Sequence, residues 1–278
     1  MRTAQHAQLA LLLEVAGTPK PGNVDRHRDF DDLRFEHFLA GAVGACDGLE
    51  AAAAGEPVGA SFDTAVEGMS QQRGGNAQFG ALLLLVPLVR AAATWGLTPD
   101  DAAAVVEATT VEDAAGFYRA FEHVDVFVDE PPADAEGLDV RRGTDAIPAL
   151  RERELTLSDV MALSAPEDGV AAEWTDGFPR TFGAAETVSD GDGPVPDRVA
   201  AAFLELLAEE PDTMVAKQHG DEVAESVRAR AAALRHADRD ELEAFADELV
   251  ARGVNPGTTA DIAAAATFVA LERDGVVP

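Results

Sequence analysis

The chain has little of what staples a protein, anchors it in a membrane or draws it to polyanions. A single cysteine, Cys46, among 278 residues excludes an internal disulfide and a cysteine-rich metal cluster, and it fits a reducing compartment. Its Ala/Gly/Leu neighbours assign it to helix packing. Lysine occurs only at Lys20 and Lys217, so 19 of the 21 basic residues are arginine. Against them stand 51 Asp and Glu, for a formal net charge of −30. A field of that sign repels phosphate backbones and anionic head groups, which excludes sequence-independent nucleic-acid binding and electrostatic docking to membranes. Long apolar runs are missing too. The most apolar stretch, residues 79–89, is interrupted by Pro87 and falls well short of the roughly 20 residues a membrane span needs. Residues 1–13 carry Gln5, His6 and Gln8 where a signal peptide would be unbroken and apolar. The expectation is a soluble, cytoplasmic protein.

What is present points to a helical globular chain. A hydrophobic content of 47% at this length can bury a sizeable core, which argues against intrinsic disorder. The acidity, scarce lysine, few isoleucines and abundant alanine resemble proteins of salt-accumulating cytoplasm, where high salt screens self-repulsion. Ala, Leu, Glu and Arg dominate and β-branched alternation is almost absent, which predicts an all-α fold. Helices are expected over about 3–16, 35–54, 61–72, 77–95, 99–110, 111–122, 155–163, 168–175, 178–187, 196–208, 221–236, 238–251 and 258–273. Residues 124–128 invite a strand but are too isolated to build a sheet. Two acidic Pro/Gly-rich stretches, 129–143 and 189–197, read as surface loops on one domain covering residues 1–278. No fixed-period repeat is present.

Four segments could carry chemistry. In Glu14-Val15-Ala16-Gly17-Thr18-Pro19-Lys20-Pro21-Gly22-Asn23-Val24-Asp25-Arg26, two prolines and a glycine fix a turn straight after an amphipathic helix. Lys20 there is a candidate phosphate ligand beside Asp25, with Gly22 permitting close backbone approach; the plainer reading is a helix terminator. Arg73-Gly74-Gly75-Asn76 leads into an apolar helix, so free N–H groups and Arg73 offer an anion site at Gly75 and Asn76, or Asn76 is simply the helix cap. Lys217-Gln218-His219-Gly220-Asp221 joins the other lysine to a histidine that could donate a proton near neutral pH and to Asp221, which could equally cap the next helix. In Asn255-Pro256-Gly257-Thr258-Thr259-Ala260-Asp261, the spacing of Thr258 and Asp261 favours a capping box. The same residues would also suit a magnesium polyphosphate. A Walker loop, a dinucleotide fingerprint, a His-Glu-x-x-His helix and a Gly-x-Ser-x-Gly elbow are all missing.

Taken in order, these segments resemble the triphosphoribosyl-dephospho-coenzyme A synthase family, with Pro211-Asp212-Thr213 ahead of Lys217-x-His219-Gly220 as a further point of likeness. The resemblance runs from Glu14 to Phe268. It implies an enzyme that joins the ribose C1 of ATP to the ribose 2′-hydroxyl of 3′-dephospho-coenzyme A, releasing adenine. Displacement at an anomeric carbon passes through an oxocarbenium-like state and calls for a carboxylate and a proton donor. The triphosphate calls for Mg²⁺ held by carboxylates. On this resemblance Asp25, His219 and Asp261 are the expected catalytic groups. Lys20, Gly22, Arg73, Gly75, Asn76, Lys217, Thr258 and Thr259 would bind nucleotide, and Asp25, Asp221 and Asp261 would hold the metal. The expected partners are ATP and a nucleotide-like acceptor; a homo-oligomer is compatible with the sequence. The sequence departs from the citrate-lyase-associated branch, which resembles Asn-Thr-His where Ala77 and Gln78 follow Asn76 here, and which often has His where Met214 stands. Related ATP-dependent pentosyl transfer to another acceptor, such as a pterin-type cofactor precursor, is one alternative. A non-catalytic nucleotide-binding all-α protein is the other.

Overall fold

The computed structural model describes residues 1–128 and 136–278. Among them the regular structure is helical, and the one β-type pairing is an isolated bridge between Asp25 and Arg28. Sixteen α-helices follow in order: α1 (Thr3–Ala16), α2 (Phe35–Gly44), α3 (Cys46–Ala54), α4 (Val58–Met69), α5 (Phe79–Thr94), α6 (Pro99–Glu107), α7 (Val111–Ala120), α8 (Ile147–Glu152), α9 (Leu157–Ser164), α10 (Gly169–Asp176), α11 (Pro179–Asp190), α12 (Val195–Glu209), α13 (Thr213–His219), α14 (Asp221–Ala233), α15 (Arg239–Ala251) and α16 (Gly257–Glu272). Two 3-10 segments, Glu136–Leu138 and Val140–Ala146, precede α8. The expected loop at 129–143 therefore ends in helical turns, and its residues 129–135 lie outside the described residues. The second expected loop shrinks to four residues, because α11 runs on to Asp190 and α12 begins at Val195. Residues 124–128 form no strand.

The helices form for ordinary reasons. Thr98, Thr110 and Thr156 each cap a helix and accept from the backbone N–H three residues on, and the Asp at that position bonds back to the threonine. The single helix expected over 35–54 is broken at Ala45, next to the point where Gly44 crosses Gly68 of α4.

Two helices that are apolar nearly all round, α5 and α16, run through the middle of the molecule and pack on each other. An apolar face on every side is what a fully enclosed helix requires. Around them, α1 touches both, α3 and α4 lie against α5, and α11 and α12 lie against α16. One hydrophobic core runs from Ala4 to Leu271. Its largest member, Trp174, is satisfied by a 3.1 Å hydrogen bond to the Leu83 carbonyl. No single helix among the described residues is long and apolar enough to cross a membrane. The two central helices start side by side, and the site is built around their N-termini.

Candidate active site

The Pro/Gly turn after α1 folds back onto the entry to α16. Gly22 has φ +75°, and a Cβ there would lie 2.3 Å from the Val254 carbonyl oxygen, so both the backbone geometry and the space demand glycine. Next to it, Asn23 Nδ2 donates to Asn255 Oδ1 at 2.9 Å. The first and last sequence motifs are thus interlocked.

At the start of α5, Asn76 Oδ1 accepts from the Phe79 N–H at 3.0 Å. One turn further in, Gly80 faces Asp261. A Cβ on Gly80 would lie 2.1 Å from Asp261 Oδ2, and the Ala81 backbone acts to lower the pKa of the same carboxyl group. Asp261 is therefore not a capping residue of its own helix: α16 has no side-chain cap. Thr258, the other half of the expected box, instead pairs its hydroxyl with that of Thr213 at 2.9 Å. The capping-box expectation fails because both side chains have partners on other elements.

The third junction is made by Asp212, which is fully buried. Its Oδ1 caps α13 through the Val215 N–H at 3.0 Å, and its Oδ2 accepts from the N–H and the hydroxyl of Thr259, both at 2.7 Å. This ties α13 to α16 and carries Lys217 into position. Lys217 Nζ donates to Asp168 Oδ2 at 2.6 Å, while Asp168 Oδ1 caps α10.

These junctions enclose a cleft of about 580 Å³. One wall is polar and includes Glu14, Asn23, Asn76, Lys217, Thr258 and Asp261. Another is aromatic: the rings of Phe79, Phe117 and Phe121 lie 4.9 to 6.3 Å apart, centre to centre. Among the described residues six carboxylates line the cleft, and Lys217 is its only cationic lining residue. Burial pushes the Asp261 carboxyl well above the usual carboxylate range, and the nearby Glu14 and Asp212 carboxylates push it further. Burial also raises Glu14, opposed by the Lys20 ammonium, and raises Asp212 against its hydrogen bonds from Thr259.

The expected site residues divide sharply. Asn76, Lys217, Thr258 and Asp261 line the cleft, and Thr259 stands behind it on Asp212. Lys20 does not line it: its side chain is wholly buried, held by Glu14 and by Asn23 Oδ1 at 2.9 Å. Asp25 is buried and fully engaged, accepting from Thr18 Oγ1 at 2.7 Å, the His27 N–H at 2.8 Å and Arg28 Nη1 at 3.1 Å. Arg73 and Gly75 sit in an exposed part of the loop before α5. His219 is exposed at the end of α13, with Nε2 3.2 Å from the Gly253 carbonyl oxygen, and Asp221 is exposed at the start of α14. Asp25, Asp221 and Asp261 are not brought together, and no three His, Cys, Asp or Glu side chains among the described residues are arranged to hold a metal ion. The expected shared metal site is corrected accordingly: one of the three carboxylates is locked into a turn, one faces solvent, and one lines the cleft.

A family model described as CitG: ATP:dephospho-CoA triphosphoribosyl transferase matches residues 1–277. The chain belongs to this family. It is a triphosphoribosyl transferase, with ATP and dephospho-coenzyme A as the family's substrates. A crystal structure from Archaeoglobus fulgidus, assigned as a triphosphoribosyl-dephospho-coA synthase, is similar with a TM-score of 0.70 and 25% identity, covering 84% of this chain and 98% of that one. No curated protein matches the chain.

Within the transferase, sequence reasoning missed Glu14, Asn23, Asn255 and Asp212 as parts of the site. Glu14 precedes the Pro/Gly turn that was singled out and Asn23 lies within it, and the sequence signal was a glutamate on the last turn of the amphipathic helix that leads into that turn. Asp212 was readable as the cap of α13 from Pro211-Asp212-Thr213. Its second bond, to Thr259 47 residues away, was not.

Proposed function

We propose that the cleft binds ATP with its triphosphate along Lys217, Thr258 and the N-terminal backbone of α16, and with its adenine against the Phe79, Phe117 and Phe121 wall. Dephospho-coenzyme A then enters the same cleft with its ribose 2′-hydroxyl directed to the anomeric carbon. The observation that carries this reading is that four Gly/Pro-marked segments, far apart in sequence, close on one cleft with one polar and one aromatic wall. Helix N-termini supply unpaired N–H groups for phosphate oxygens, and flat rings suit a nucleobase. The whole chain acts as one domain in this reading, because segments from Glu14 to Asp261 contribute to the same site.

The carboxylate-rich lining bears on the metal. A triphosphate entering beside the six carboxylates and one lysine that line the cleft among the described residues needs a counter-ion, and those residues offer no ready cage for one. Mg²⁺ fits as a passenger on the triphosphate, which it would neutralise and shield when bound. The net charge of −30 and the near-absence of lysine support a halophile-type enzyme working in salt-rich cytoplasm. Gln78 and Met214, where the sequence departs from the citrate-lyase-associated branch, both line the cleft, so they bear on how the acceptor fits.

The test is direct. Purified protein is mixed in high salt with ATP, Mg²⁺ and dephospho-coenzyme A, and free adenine is measured. Adenine release that depends on dephospho-coenzyme A is expected; ATP binding without any such release would sink the reading.

A further inference from the structure

Glu14 is a buried carboxylate that the sequence did not single out, and it has one committed oxygen and one free one. Oε1 accepts from Lys20 Nζ. Oε2 has no hydrogen-bond partner and is not sealed from the cleft that Glu14 lines. Lys20 has no other outlet. Its side chain is 0% exposed, its remaining polar contact is Asn23 Oδ1, and Phe203 of α12 covers it at 5.7 Å. Asn23 is in turn fixed by Asn255. A fully buried lysine is costly unless its charge is matched, and here the charge is matched by Glu14, a carboxylate on the last turn of α1 that opens on the cleft.

We infer that Glu14 is the general base of the transfer and that Lys20 is its positioning residue. The inference rests on the proposed binding of both substrates in this cleft. In the step, the acceptor's 2′-oxygen forms a bond to ribose C1 of ATP while the C1–N9 bond breaks and its electron pair leaves with adenine. The proton on the 2′-oxygen passes to Glu14 Oε2. It is then relayed through water in the cleft to adenine, which departs neutral and leaves Glu14 ionised. Lys20 aims the carboxylate and holds it ionised for the first half of that cycle. The charged groups facing Glu14 are Lys20 and Asp25 on the turn and Asp261 on α16, with Asp212 and Asp168 behind Asp261. Lys20 is the only cation in that set.

The experiment compares wild type, Glu14→Gln and Lys20→Gln in the full-length protein, with adenine release across pH and ATP affinity by calorimetry. For Glu14→Gln the expectation is a kcat lower by about 100-fold or more, the range of a lost general base, with ATP affinity within about threefold of wild type. For Lys20→Gln, which keeps a hydrogen-bond donor but loses the charge, the acidic limb of the kcat profile should move to higher pH, because Glu14 then holds its proton more tightly. Should Glu14→Gln not fold, Glu14→Asp replaces it; that variant keeps the charge but shortens the reach, and should lose kcat while retaining ATP affinity. A folded Glu14→Gln with near-wild-type kcat overturns the assignment, as does a Lys20→Gln profile with an unmoved acidic limb. A wild type that releases no adenine at all defeats the underlying functional reading instead, so the two failures are separable.

Discussion

Lys20 and Glu14 form an ion pair with both side chains removed from solvent, at 0% and 4% exposure. A buried pair of this kind is expensive to break from one side, because the surviving charge is left without its partner. Replacing Lys20 with Met is therefore expected to cost about 3–5 kcal/mol of folding stability, read by urea unfolding in high salt. A lysine serving only as a phosphate ligand in an exposed turn would leave the unfolding midpoint nearly unchanged.

That contrast shows where the sequence is informative and where it is silent. The helical class and most helix positions follow from composition and capping residues, which act within a few positions along the chain. The convergence of the Lys20 turn, the Asn76 helix start and the Asp261 helix start was also legible as a family resemblance. What the sequence hides is which face of a motif meets the cleft. Asp25 and Lys20 belong to the motif, yet the turn directs them inward, where Thr18, Arg28 and Glu14 engage them. Asp261 looked like half of a capping box because Thr258 lies three residues before it. Its contact with Gly80, 181 positions away in the chain, overrides that local pattern. Short α8 and α13 escaped notice because a single turn or two leaves too few positions for a hydrophobic period to register.

Lys217 and His219 are two residues apart on α13 but should behave differently. Lys217 lines the cleft beside Thr258, whereas His219 is exposed and bonded only to the Gly253 carbonyl. Lys217→Ala is expected to weaken ATP binding about 10- to 100-fold, the scale of a lost charge-assisted hydrogen bond. Its effect on stability should be small, since Asp168 remains partly solvated. His219→Ala should leave both ATP affinity and adenine release within about twofold of wild type. Calorimetric titration of the two variants with ATP checks the pair.

Gly80 gives a prediction whose sign opposes helix propensity. In an open helix, Gly→Ala stabilises by up to about 1 kcal/mol. Here the added methyl carbon would lie 2.1 Å from Asp261 Oδ2, and neither the helix start nor the buried carboxyl group can move freely. Gly80→Ala is expected to destabilise the fold and to lower adenine release at least tenfold, because Asp261 is pushed out of its place at the start of α5. Unchanged melting temperature and turnover in that variant would refute the close approach.

The charge of −30 sets the salt response. Most of the carboxylates are on the surface with few basic neighbours, so lowering the ionic strength lengthens the range of their mutual repulsion from about 3 Å at 1 M to about 30 Å at 0.01 M. The protein is expected to gain stability steadily as KCl rises from tens of millimolar to molar concentrations. Thermal unfolding followed across that range checks it. A flat or falling midpoint would remove the halophile reading while leaving the site assignments untouched.

Asp261 links the site to folding through pH. Its carboxyl has a folded-state pKa raised well above the ordinary value of 3.8, first by burial and then by Glu14 and Asp212. A carboxyl raised on folding binds its proton more tightly in the native state. It therefore contributes stability that is complete below the unfolded pKa and is lost as pH rises through the folded pKa. Asp261→Asn keeps the shape and removes that titration. The variant is expected to match wild type near pH 4 and to become progressively more stable than wild type toward pH 8, while its adenine release falls. Urea unfolding of both proteins at a series of pH values, in constant high salt, measures the difference. A stability difference that stays constant from pH 4 to 8 would show that Asp261 is not the buried carboxyl acid of the cleft.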